Sequence, residues 1–229
     1  RNIPDFQQWN IDRQTGVVNI GSSVPYATME HGELAKALPA LAEAARTVGS
    51  PQIRAAGSLG GNLGTCSPAG DSLPVLSALN AIVHLQSESS TRSVSFAEFM
   101  VGPKRNSRLP NEIITGVTIP ITNGWQGYAK VGVRNAMVIS VASVCLAIHD
   151  GKVRVALGSV GPTIIRCSDS ETWINSVGLE NVDHVIAKEF GDKVRAESRP
   201  IDDHRSTAEY RRHAVGVLAT RLLLRGVGK

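Results

Sequence analysis

The sequence predicts an α+β protein of two domains, and three observations carry that reading. Leu34, Leu38, Leu41, Ala45 and Val48 recur at helical spacing, so one face of that segment is apolar. Further on, two strand-like runs flank Asp150-Gly151, a strong signal for a tight hairpin turn. Between them, near Gly124, the texture changes from short strands and loops to longer strand-like runs followed by helices. The expected division is one domain over residues 1–121 and a second, an antiparallel sheet with helices, over residues 122–229.

Residues 1–30 read as strand-rich, with a short strand at 17–20 after the Thr15-Gly16 turn. Pro39 starts the second of two helices, because its missing N–H costs little in a first turn. Gly49-Ser50-Pro51 ends that helix. Residues 73–79 read as a helix, 81–85 as a strand, 93–96 as the lead into a turn over 97–101, and 112–120 as another strand. Strand-like runs follow at 128–133, 138–148 and 152–158. In the last, Val153, Val155 and Leu157 alternate with Arg154 and Ala156, as in a half-buried strand. Ser168-x-x-Glu171 and Ser206-x-x-Glu209 have the spacing of a capping box. The final helix carries Val215, Leu218, Ala219 and Leu222 on one face.

Composition narrows the function. Apolar residues are 42% and charged residues 19%, enough for a core and ordinary for a soluble protein. The longest apolar stretch, 138–148, is broken by Ser140 and Ser143 and falls short of the ~20 residues that span a bilayer. No export leader opens the chain, so a cytoplasmic location is expected. Cys66, Cys145 and Cys167 are odd in number and scattered, which fits a reducing compartment and cannot supply the four thiolates of an iron–sulfur cluster. The histidines form no ligand cluster, so no metal is expected on this chain. Net charge is +4, but Lys104-Arg105 and Arg211-Arg212 are short and lack interleaved aromatics, which argues against nucleic acid. No nucleophile–His–Asp grouping or paired carboxylates stand out.

The densest signal runs from Ile53 to Asp71, where Gly57, Gly60, Gly61, Gly64 and Gly70 account for five of the 22 glycines. Glycine reaches positive φ without steric penalty, and successive N–H groups turned to one point make an anion site suited to a pyrophosphate. Ser58, Asn62 and Thr65 add neutral donors, and Asp71 can accept from ribose or ribityl hydroxyls. The loop is neither a Walker A loop nor a GxGxxG fingerprint. On composition alone, tight packing explains the glycines as well as a phosphate cradle does.

Gly57-Ser58-Leu59-Gly60-Gly61-Asn62 followed by Ser67-Pro68-Ala69-Gly70-Asp71 resembles a loop of the FAD-binding medium subunits of molybdenum hydroxylases, the family of xanthine dehydrogenase and carbon monoxide dehydrogenase. Pro51-Gln52-Ile53-Arg54, Leu109-Pro-x-Glu-Ile-Ile114, Ile119-Pro120, Tyr128-Ala129-Lys130, Leu157-Gly-Ser-Val-Gly-Pro-Thr163 and Ser206-Thr-Ala-Glu-Tyr-Arg-Arg212 resemble further segments of it, in order. The resemblance implies a vanillyl-alcohol-oxidase (PCMH)-type FAD-binding domain followed by a carbon-monoxide-dehydrogenase-flavoprotein-like C-terminal α+β domain. It carries FAD-binding roles onto Gly57, Ser58, Leu59, Gly60, Gly61, Asn62, Thr65, Asp71, Ile114 and Lys130. It assigns Lys130 the role of a fixed cation facing charge on the reduced flavin. Taken alone, Lys130 reads as a solvated lysine and Ile114 as a core residue.

The resemblance also implies partners: a large subunit holding molybdopterin and a small one holding 2Fe-2S clusters, assembled as a dimer of heterotrimers. Electrons would pass from the clusters to FAD and on to an external acceptor. The Ser67–Asp71 variant looks more like xanthine-dehydrogenase-type relatives than carbon-monoxide-dehydrogenase-type ones. Two departures stand out. Nothing matches the family's earlier Ala-Gly-Gly-Thr/His-type segment, and Arg1-Asn2-Ile3-Pro4 resembles a point after it, so the N-terminal part of the FAD domain is expected to be absent from this sequence. Met137-Val138-Ile139 stands where many relatives have an Asp-Ile pair. Two other readings stay open: a stand-alone FAD-dependent oxidoreductase, and a flavin-free assembly subunit.

Overall fold

The structure, a computed structural model, describes residues 3–229, so Arg1 and Asn2 lie outside the described residues. After a 3-10 turn, β1 (Trp9–Asp12) and β2 (Val17–Gly21) form an antiparallel hairpin. Asp12 Oδ1 accepts from the N–H groups of Gln14 and Thr15 at 2.9 and 3.1 Å, and Gly16 takes φ +70°, which a side chain would strain.

Six short helices follow: α1 (Tyr26–Met29), α2 (Gly32–Ala37), α3 (Pro39–Arg46), α4 (Pro51–Ala56), α5 (Leu59–Thr65) and α6 (Ser72–Ala78). The chain returns through β3 (Ile82–Gln86) and β4 (Thr91–Ser95), then α7 (Phe96–Phe99) and a small hairpin of β5 (Met100–Gly102) and β6 (Arg105–Asn106), to β7 (Ile113–Pro120). The first sheet runs β1-β2-β7-β3-β4, all antiparallel. The second holds β8 (Gln126–Val131), β9 (Ala142–His149), β10 (Lys152–Gly158) and β11 (Ile165–Arg166) in the order β11-β10-β9-β8. Three helices close the chain: α8 (Ser168–Val177), α9 (His184–Glu197) and α10 (Ala208–Gly226).

The second sheet is covered on both faces. Val144, Leu146, Val153, Val155 and Leu157 face a core with Ile174, Phe190, Val215, Ala219 and Leu222 of the last three helices. Tyr128, Cys145, Ala147 and Ala156 join the other core, with Leu41, Ala44, Val75 and Leu76 of α3 and α6. A strand buried on both sides needs no polar alternation, and β9 is apolar and buried from Ala142 to Ile148, broken only by Ser143.

Several local details differ from the sequence reading. The glycine-rich stretch is helical, as α4 and α5, rather than loop, because helices of six or seven residues show too few turns for periodicity to reveal them. β9 starts at Ala142, not at 138. Residues 134–137 form a turn instead, closed by the Arg134 guanidinium donating to the carbonyls of Ala136 and Met137. Neither capping box forms. Cys167, not Ser168, precedes α8, and Glu171 is engaged by Arg166 and by the Val155 N–H at 2.7 Å. The cap of α10 is Thr207, whose Oγ accepts from the Tyr210 N–H at 3.2 Å. Among the described residues, no helix is long and apolar enough to cross a membrane.

Candidate functional site

The glycine-rich stretch is largely a helix. Ser58 caps α5, its Oγ accepting from the Gly61 N–H at 3.2 Å, and Leu59 and Leu63 anchor the helix in the core. Two backbone bonds tie it to neighbouring segments: Gly60 N–H to Ser22 O at 2.9 Å and Tyr26 N–H to Gly57 O at 3.1 Å. Cys66 ends it in the left-handed region, at φ 49°.

The five glycines therefore do different work from that expected. None of them has positive φ. A Cβ on Gly60 would lie 2.6 Å from Ser22 O, and one on Gly70 would lie 2.7 Å from Asn62 Nδ2. These two positions permit close approach. The Asn62 side chain is fixed there, its Oδ1 accepting from Ser72 Oγ at 2.6 Å. Gly61 has no such reason, since a Cβ would meet only Ser58 Oγ at 3.4 Å, and at Gly64 it would meet nothing within 4 Å.

Gly61 lies where two clefts adjoin. One, of about 410 Å³, is lined by Gly57, Ser58, Gly61, Asn62, Thr65 and Asp71, with Tyr26, Ile53 and Met137–Ile139 forming apolar walls. The other, of about 300 Å³, is lined by Ser22, Ser58, Gly60, Gly61 and Ile114, with Arg108 and Glu112 at one side. A third cleft, of about 710 Å³, shares Gly49, Met137 and Val138 with the first and includes Lys130, Arg46 and Arg134. Eight of the ten residues singled out in the sequence line the first two clefts. Leu59 points into the core and Lys130 lines the third.

Lys130 and Asp71 pair with each other. Lys130 Nζ donates to Asp71 Oδ2 at 2.7 Å, Thr47 O at 2.9 Å and Val138 O at 3.2 Å, which uses all three of its donors. Tyr128, fully buried in the second sheet, donates its hydroxyl to Asp71 Oδ1 at 2.8 Å. Burial pushes the Asp71 carboxyl up from its ordinary range, against the pull of the Lys130 charge. Burial likewise raises the Tyr128 phenol, so it stays a donor.

Two further supports escaped sequence reasoning. Arg54 donates to Glu30 at 2.6 Å and to the carbonyls of Val48 and Gly49, holding the loop that walls the first cleft. Arg92 grips Glu112 at 2.6 and 2.8 Å, and the Leu109 N–H adds a bond at 2.7 Å. The guanidinium beside it holds the Glu112 carboxyl down at about 2. Both depend on partners 20 or more residues away, and no local motif encodes that. Ile114 owes its place to a bulge opposite His84 and Leu85, where the ladder of β3 and β7 shifts register.

Chemically, the clefts offer a helix start with small residues, neutral hydroxyls, apolar walls and a buried lysine–carboxylate pair. That suits a long ligand with an anionic centre and flat apolar parts.

Residues 1–122 match the FAD binding domain in molybdopterin dehydrogenase, and residues 128–225 match the CO dehydrogenase flavoprotein C-terminal domain. The chain is 35% identical to the nicotine 6-hydroxylase medium subunit of Paenarthrobacter nicotinovorans, over 97% of this chain and 79% of that protein. It is 33% identical to the glyceraldehyde dehydrogenase medium chain of Sulfolobus acidocaldarius, over 88% of this chain and 73% of that one. Its fold superimposes on a chain of the carbon monoxide dehydrogenase from Hydrogenophaga pseudoflava with a TM-score of 0.88 and 23% identity, covering all of this chain and 80% of the other.

Proposed function

Because the chain belongs to the family of FAD-binding medium subunits of molybdenum hydroxylases, we propose that it binds FAD in the two clefts that meet at Gly61 and serves as an electron-transfer subunit. Gly61 carries this reading. Neither its φ nor its packing requires a glycine, so the missing side chain leaves room for something in the cleft. In this assignment Gly57, Ser58, Leu59, Gly60, Gly61, Asn62 and Thr65 form the cradle. Ile114 supplies an apolar wall and Asp71 and Lys130 the charged end. The backbone of Leu59 takes part while its side chain holds the core. Bound FAD supplies the redox chemistry, and the chain supplies position, electrostatics and exclusion of water. Tyr128 and Lys130 hold Asp71 in place, and Met137–Ile139 close one side with apolar groups.

The partners in this reading are a large molybdopterin subunit and a small 2Fe-2S subunit, paired as a dimer of heterotrimers in the cytoplasm. Electrons enter from the clusters and leave to an external acceptor. Substrate is bound on the large partner. The names of the two similar relatives, one acting on nicotine and one on glyceraldehyde, favour an organic substrate. The Ser67–Asp71 segment favours the xanthine-dehydrogenase type over the carbon-monoxide-dehydrogenase type. The division near residue 121 is supported by β7 ending at Pro120 and the second sheet opening at Gln126.

The test is the visible absorption spectrum of the natively purified protein, with FAD quantified after denaturation and the co-purifying chains identified. The expected outcome is close to stoichiometric FAD with one large and one small partner. A colourless protein would move the cradle to a structural role. Flavin reduced by a small molecule with this chain alone would favour a stand-alone oxidoreductase.

A further inference from the structure

A separate cleft of about 440 Å³ shares Ala69 with the candidate FAD cleft but is built mainly by the second domain. Among the described residues, four buried side-chain polar atoms have no hydrogen-bond partner. Three of them, Ser140 Oγ, Ser159 Oγ and Arg211 Nε, belong to residues lining this one cleft. Buried polar groups are rarely left unpaired, so two serine hydroxyls beside one space, each able to turn toward it, point to a ligand that completes them. Arg211 is held rigidly, with Nη1 donating to Val141 O at 3.1 Å and Ser159 O at 2.7 Å, and Nη2 to Asp203 Oδ1 at 2.6 Å. Its Nε–H is the donor left over.

The charges decide the sign of the ligand. Arg199, Arg205 and Arg211 line the cleft against a single carboxylate, Asp203, whose Oδ1 already accepts from Arg211 and from the N–H groups of Arg205 and Ser206 while its Oδ2 lies 3.5 Å from the Arg205 guanidinium. Pro68, Pro103, Pro162 and Ile201 make the remaining wall apolar. Both serine hydroxyls reach alternative staggered positions by rotation about one bond.

We propose that this cleft binds a small free anion, a carboxylate or phosphate carried on a compact apolar body, with Arg199, Ser140 and Ser159 taking the anionic group and the fixed Arg211 adding its charge from behind the wall. The cleft shares only Ala69 with the candidate FAD cleft. Its floor includes Pro68, whose carbonyl accepts from the Ser159 N–H at 2.8 Å. An occupant therefore bears on the loop that ends at Asp71.

The experiment is calorimetric titration of the natively purified protein with benzoate, inorganic phosphate and, as an uncharged control, benzyl alcohol. Saturable binding of benzoate or phosphate but not of benzyl alcohol is expected, and whichever anion binds tighter identifies the head group. Ser140→Ala and Arg199→Gln should each weaken it about tenfold, the usual loss for a hydrogen bond or contact to a charged group. Ser140→Ala should leave the thermal midpoint of the ligand-free protein unchanged or raised, because its hydroxyl makes no bond there. Absence of saturable binding by either anion, or equal binding by wild type and both variants, would overturn the proposal.

Discussion

Lys130 Nζ sits 2.7 Å from Asp71 Oδ2, and both side chains are more than nine-tenths buried, one on a strand of the second sheet and the other at the start of α6. The pair joins the two domains where the candidate cleft begins. Removing one member of such a buried pair leaves the other charge uncompensated. Lys130→Met is expected to destabilise the protein by about 3 kcal/mol. The double change Lys130→Met with Asp71→Asn should recover most of that. Urea unfolding of the two variants checks it, and a double variant no more stable than the single one would refute the coupling.

Gly60 and Gly61, adjacent in one helix, should respond oppositely to alanine. At Gly60 the new Cβ runs into Ser22, so stability falls. At Gly61 the new methyl faces the cleft, and alanine is favoured over glycine within helices by up to about 1 kcal/mol. Gly61→Ala should therefore match or exceed the wild type in flavin-free stability while losing FAD. Thermal midpoints with and without FAD, together with flavin content, separate the two effects.

Acid should act through Glu112. Its folded carboxyl lies below the ordinary value, held there first by Arg92. The stabilisation is thus present in full above about pH 4.5, the unfolded range for a glutamate, and is lost as pH falls towards 2. Unfolding curves over that window should show a steep loss in the wild type and a shallower one in Glu112→Gln.

The start of α10 offers a local test. Thr207→Ala should cost about 1 kcal/mol, while Ser206→Ala costs little, because of these two hydroxyls the one recorded as accepting from an α10 N–H group is that of Thr207. Equal losses would place the cap elsewhere.

Legibility in the sequence tracked the range of the interactions involved. Pro39 opening α3 and the Asp150-Gly151 hairpin depend on neighbours, and the structure has both where local chemistry put them. The apolar face of α10 was readable for the same reason, because Val215, Leu218, Ala219 and Leu222 repeat with the helix turn. The Ser206 box misled because the cap falls one residue later, at Thr207, and the Ser168 box because spacing alone does not say whether a carboxylate is already engaged. Glu171 is taken by β10 and β11. At the candidate site, residue types drew attention to a segment that lines the clefts, but the glycines there serve another purpose than the one expected. The glycines suggested left-handed turns, whereas Gly60 and Gly70 make room for Ser22 and Asn62. Tyr128 behind Asp71 lies 57 positions away, and nothing near either residue announces the other.

The sheet covered on both faces has a bearing on how the chain is made. One of its covers, α3 and α6, emerges early in synthesis, while β8, β9 and β10 come much later. Until those strands arrive, Leu41, Ala44, Val75 and Leu76 wait without their counterpart, and the strands in turn wait for α10. A fragment split near residue 121 would leave each half with an open greasy face, prone to self-association. The two halves should stay soluble when co-expressed and precipitate when produced apart.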